Sequence, residues 1–182
     1  MKIALLSVTL LASISIHANE IYNCLDKEES LIREAIQDSH ISREKILSDI
    51  EFAISERKGE LSKKVVKKLQ KSKYMLKCAG WRTRNLKFDC SEKEYVGYFM
   101  KVFPIFGNEV DVASYHMRNV DYDFLVGSII HEATHKCGTN DADYFYQKNQ
   151  VPHSKWYSEW QNIASTYDYW SIKGFCVPEI DC

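Results

Sequence analysis

The stretch HEATHKCGTNDADY, residues 131 to 144, gathers side chains that bind metals and move protons. His131 and His135 stand four residues apart, which on a helix places them on one face with Cβ atoms about 5–6 Å apart. Two imidazoles so placed can converge on one ion. Glu132 leaves the helix about 100° further round, so it reaches a water beside the ion rather than the ion itself. The pattern H-E-x-x-H therefore suits metal-assisted hydrolysis, with two histidines on zinc and a carboxylate as general base. By composition alone it arises in roughly one chain of this size per few hundred, so its setting has to decide.

A catalytic zinc keeps three protein ligands and an open fourth position. Gly138 follows His135 by three residues, where a helix end commonly takes a residue at positive φ. A turn there swings the chain back under the metal and brings Asp141 within reach. Asp143 and His153 are the rival third ligands, each needing a longer excursion. Two neutral imidazoles and one carboxylate leave a centre of charge +1 that still acidifies water. Cys137 offers a thiolate in the same turn, but in an exported chain a disulfide is the expected state. Such a bridge would pin the turn that aims Asp141.

Export is read from the first residues, MKIALLSVTLLASISIHA. One lysine, a short apolar run and a small residue at Ala18 make residues 1–18 a signal peptide, too short in its apolar part for a comfortable membrane span. All six cysteines (Cys24, Cys78, Cys90, Cys137, Cys176 and Cys182) come after it. An even count in an exported chain reads as three disulfides, and none of the cysteines forms a CxxC pair. Their spread suggests staples tying both chain ends to the core. With 24 basic and 25 acidic residues the chain has no charge excess to attract nucleic acid.

The elements that must hold the motif follow from hydrophobic period. Leu31, Ile32, Ala35 and Ile36, then Ile46, Leu47, Ile50, Ala53 and Ile54, recur at helical spacing; Gly59 separates this helix from a second carrying Leu61, Val65, Val66, Leu69 and Leu76. The lysines of the second (Lys63, Lys64, Lys67, Lys68, Lys71, Lys73, Lys77) read as a solvated face. The stretch 81–120 is aromatic and irregular, with Val110 and Val112 alternating as in a strand. Helical period returns at Tyr122, where Leu125, Val126, Ile129, Ile130 and Ala133 form a stripe running into His131 and Asp121 or Asp123 caps the start. A last helix is expected from about Ser154 to Ile172, with Trp156, Trp160, Ile163, Ala164, Tyr167 and Trp170 packed in the core. The expectation is a mainly α fold with minor β: one zincin-like domain over 19–182, disulfide-stapled, with a small antiparallel sheet. Residues 19–80 form its helical N-terminal part and 81–182 its catalytic part.

HExxH followed by GTNDADY resembles the GTxDxxY signature of the aspzincins, zinc endopeptidases that include deuterolysins and peptidyl-lysine metalloendopeptidases. Gly138, Thr139, Asp141 and Tyr144 occupy the signature positions, and IASTYDYW at 163–170 is a weaker likeness. The resemblance covers about residues 88 to 176. It implies one Zn2+ held by His131, His135 and Asp141, Glu132 as base, and Tyr144 as hydroxyl donor to the oxyanion. Two departures stand out: the linker Lys136-Cys137 is short, and Phe145 replaces the usual glycine. The residues also satisfy the metzincin pattern HExxHxxGxxD, but no methionine follows Met117 to form the turn that group needs.

The expectation is a secreted or periplasmic zinc metalloendopeptidase, a monomer with no membrane anchor after signal cleavage, acting on protein or peptide through a zinc-bound water activated by Glu132. Two other readings stand beside it. The same centre can serve a hydrolase of cell-wall peptide or amide, or the chain can be a non-catalytic exported binding protein with a structural metal.

Overall fold

The computed structural model describes residues 19–57, 59–94, 96–103, 107–141, 159–178 and 180–182. Residues 1–18, where a signal peptide is expected, and Asp143, Tyr144, His153 and Trp156 lie outside the described residues.

The two N-terminal helices form where the apolar period demands them. Helix α1 spans Asp26–Glu56, and its start is closed by Glu28, whose carboxylate accepts the Leu25 N–H at 2.9 Å. Helix α2 spans Lys63–Thr83, capped by Ser62, whose hydroxyl oxygen accepts the Val65 N–H at 3.2 Å. The helices run back along each other: Lys73 pairs with Glu51, while Arg43, nearer the start of α1, donates to the carbonyl of Leu76, further along α2. One of the seven lysines departs from the expected solvated face. Lys68 is buried, with its ammonium 5.6 Å from the ring centroid of Trp160, so its stem fills core space.

Among the described residues four short strands follow the order β1-β2-β4-β3, with β1 at Ile21–Tyr22, β2 at Lys87–Asp89, β3 at Met100–Val102 and β4 at Glu109–Val112. The sheet is mixed rather than antiparallel throughout: β1 with β2 and β2 with β4 are parallel, and only β3 with β4 is antiparallel. The connections explain this. The α1–α2 hairpin is a long crossover that returns the chain in the same direction, whereas β3 and β4 are joined by a short loop.

Helix α3 is a single turn, Ser114–Met117, and α4 spans Tyr122–His135. Asp121 caps α4 by accepting the Phe124 N–H at 3.1 Å. Apolar on nearly all sides, α4 is buried between two parts of the core. Leu125, Val126, Ile129 and Ala133 pack with Ile32, Ala35, Phe88, Val110 and Val112, while Ile130 joins Ile50, Leu69, Leu76, Trp160, Tyr167 and Trp170. Helix α5, Ala164–Lys173, closes over this second part with Trp170 edge-on to both Trp160 and Tyr167. The fold is mainly α with a small sheet, in a single disulfide-stapled unit.

The expected helix from Ser154 to Ile172 is not continuous. A 3-10 turn at Trp160–Asn162 and an extended Ile163 precede α5. The reason is a backbone bridge. The Asn140 N–H donates to the Asn162 carbonyl at 2.9 Å, and the Ala164 N–H donates to the Asn140 carbonyl at 3.0 Å. A helical Ile163 could not make that ladder.

All six cysteines are paired, as Cys24–Cys90, Cys78–Cys137 and Cys176–Cys182. The first ties the N-terminal segment to the end of β2, as expected. The last closes a local loop of 6 residues' separation and reaches the core through Cys176, which packs against the cluster of Trp160, Tyr167 and Trp170. Three such bridges belong to an oxidising compartment, and no described helix is long and apolar enough to cross a membrane. Cys78–Cys137 joins α2 to the turn after α4 across 59 residues, a closure that restricts the unfolded chain by about 4 kcal/mol. Replacing both cysteines by serine should lower unfolding free energy in urea by an amount of about that size. A loss below about 1 kcal/mol would show that the bridge does not restrict the unfolded chain to that extent.

Candidate metal centre

The site is assembled at the C-terminal end of α4. The helix stops at His135 because Gly138 takes φ +93°, a conformation that side-chain-bearing residues rarely adopt. The Cys137 N–H donates to the Thr134 carbonyl at 2.8 Å, and the Gly138 N–H to the His135 carbonyl at 3.1 Å. Thr139 is then fixed by its hydroxyl, 3.0 Å from that of Thr134. The bridge of Asn140 to Ile163 carries the chain to Asp141, which faces back to the helix. The turn predicted from Gly138 is present, and Cys78–Cys137 pins it.

Three donor atoms converge there. Nε2 of His131, Nε2 of His135 and Oδ1 of Asp141 form a triangle with every side 3.1 Å. Zinc at 2.0–2.1 Å from each donor in a tetrahedron would set them about 3.3 Å apart. The far ring nitrogens define the tautomers. His135 Nδ1 lies 3.2 Å from the Thr139 carbonyl, which can only accept, so that nitrogen carries a proton and Nε2 is the one turned to the other donor atoms. His131 Nδ1 lies 3.5 Å from Oδ2 of Asp168, again an acceptor. With both Nε2 atoms free of protons, three lone pairs would point at one place, which suits a cation of zinc's size and ligand preference.

The electrostatics agree. Burial works against a charged His131, but hydrogen bonding to Asp141 and Asp168 overrides it and pushes its pKa up to about 10. In the metal-free protein a proton supplies the positive charge the site demands. The Asp141 carboxyl is held well below the usual carboxylate range by hydrogen bonds from His131 and His135. Glu132 is 5% exposed, and burial pushes its carboxyl up, partly opposed by the two imidazoles. Its Oε2 accepts the Val102 N–H of edge strand β3 at 2.9 Å.

Of the residues singled out in the sequence, His131, His135 and Asp141 are brought together, with Glu132 beside them. Tyr144 and the rival ligands Asp143 and His153 fall outside the described residues. Two contacts lie beyond what the motif and its spacing indicate. The Val102 contribution is a backbone N–H and leaves no trace in residue types. Asp168 did leave one: a carboxylate between Tyr167 and Trp170, inside an aromatic stripe, has no packing reason to be there. A comparison of the chain with protein-family models and with curated proteins finds no match.

A proton on His131 must leave before a metal can take its lone pair. Zinc binding at pH 7 should therefore release about one proton, read from calorimetry in buffers of different ionisation enthalpy. Affinity should rise by about tenfold per pH unit from pH 6.5 to 8.5. A pH-independent affinity with no proton release would mean that zinc binds elsewhere.

Proposed function

We propose that the chain is a secreted or periplasmic zinc-dependent endopeptidase of the aspzincin kind. The observation that carries the reading is the triangle of His131, His135 and Asp141 donors with Glu132, one residue along the helix, outside it. Zinc, when bound, supplies a Lewis acid that acidifies water and polarises a carbonyl. Every other part falls to the chain. Glu132, with one oxygen occupied by the Val102 N–H, keeps the other to take a proton from the attacking water and pass it to the leaving amine. Burial raises its basicity toward the range a general base needs. Edge strand β3 beside Glu132 suits an extended peptide that pairs with a sheet edge. A purely structural metal has no use for a buried carboxylate at position 132. The disulfides fit an exported protein, as does the proposed signal peptide.

Zinc content and casein turnover, followed in the same samples of wild type and Glu132→Gln, test this. One zinc is expected in both, with turnover down about 10²–10⁴-fold in the variant. Zinc in both with no casein turnover in either would favour cell-wall peptide as substrate or a structural metal. Tyr144 enters the mechanism by resemblance to the aspzincin signature, as donor to the oxyanion. Tyr144→Phe should lower kcat by about 10²–10³-fold with zinc content and KM little changed; an unaltered kcat would remove it from the mechanism.

A further inference from the structure

We propose that Asp168 is a positioning residue that orients His131 for the metal, and that position 127 is glycine in order to admit it. The inference rests on the zinc reading above and adds a residue to it. Asp168 lies in the middle of α5 and is 5% exposed. A carboxylate withdrawn from water is unfavourable unless a charge or donors compensate it. Among the described residues its ion partner is His131, with Oδ2 3.5 Å from Nδ1, while Oδ1 accepts the Tyr169 N–H at 2.8 Å. Nδ1 is the nitrogen that faces away from the donor triangle. An acceptor there keeps the proton on Nδ1, leaves the lone pair on Nε2 and fixes the ring plane, the service that outer carboxylates render to ligating histidines. The Thr139 carbonyl does the same for His135 at 3.2 Å. The two histidines are thus oriented by different means, one by the turn after α4 and the other by α5.

A second observation is independent of the histidine. Gly127 stands one turn before His131 on α4, in the interior of the helix, where glycine is a poor choice. A Cβ at this position would lie 3.2 Å from Cβ of Asp168 and 3.2 Å from Cγ1 and Cδ1 of Ile172. Such distances are inside ordinary carbon–carbon contact. The missing side chain is what lets α5 approach α4 closely enough for a short aspartate to reach the ring.

The test compares zinc affinity, by competition with a chromophoric chelator, and thermal melting with and without zinc, on full-length wild type, Asp168→Asn and Gly127→Ala. Asp168→Asn should bind zinc about 10–100-fold more weakly, and its loss of melting temperature should be larger with zinc than in the metal-free state. Gly127→Ala keeps the carboxylate but displaces it, and should weaken binding by a smaller factor. Wild-type affinity in Asp168→Asn overturns the inference, all the more if melting falls equally with and without zinc, the mark of a structural role. Should Asp168→Asn not fold, unchanged affinity in Gly127→Ala overturns it instead. If wild type itself takes up no zinc, the zinc reading has failed, and the orienting role falls with it.

Discussion

Three lone-pair donors held 3.1 Å from one another repel unless a proton or a metal cation lies among them. That constraint organises the structure around the end of α4. Two of the donors come with the helix, because residues four apart share a face. The third must be brought from outside and held against the repulsion, and most of the irregular structure near the site serves that end. The left-handed turn at Gly138 reverses the chain, Cys78–Cys137 anchors the turn to α2, and the Asn140–Ile163 bridge fixes the residue next to Asp141.

The same bridge explains the shape of the C-terminal segment. The aromatic stripe asks for one long helix, but Ile163 is needed as an extended residue, so the helix restarts at Ala164. Trp160, Tyr167 and Trp170 still meet in one core because the 3-10 turn keeps Trp160 facing inward. The rigid helical bundle thus sits behind the site and the small sheet beside it, with β3 supplying a backbone donor to Glu132. A candidate base whose position is set by a strand, and candidate ligands whose position is set by a helix and a turn, remain in register only while α4 packs on both.

Much of this was legible in the residues. Apolar period located α1, α2 and α4 to within a few residues, because those helices are held by burial of a repeating face. The motif and Gly138 together forecast the approach of Asp141, since a positive φ after a helix end permits few chain directions. The bound of the last helix was not legible, because a backbone bridge between positions 140 and 163 involves no particular side chains. Nor was the parallel pairing of β1, β2 and β4, which depends on where the α1–α2 hairpin returns the chain. Disulfide connectivity was equally hidden: counting cysteines could not tell the local Cys176–Cys182 loop from a long-range bridge. Asp168 is not among the residues that the aromatic stripe picks out, although a carboxylate between Tyr167 and Trp170 is itself a signal.

The most direct measurement is X-ray absorption at the zinc edge on the purified, zinc-loaded protein. One zinc with only nitrogen and oxygen neighbours at about 2.0–2.1 Å, two of them imidazole, is the expected result, and His135→Ala should remove one imidazole from that shell. A sulfur neighbour at about 2.3 Å, or a coordination shell indifferent to His135→Ala, would contradict the claim that His131, His135 and Asp141 form the metal site.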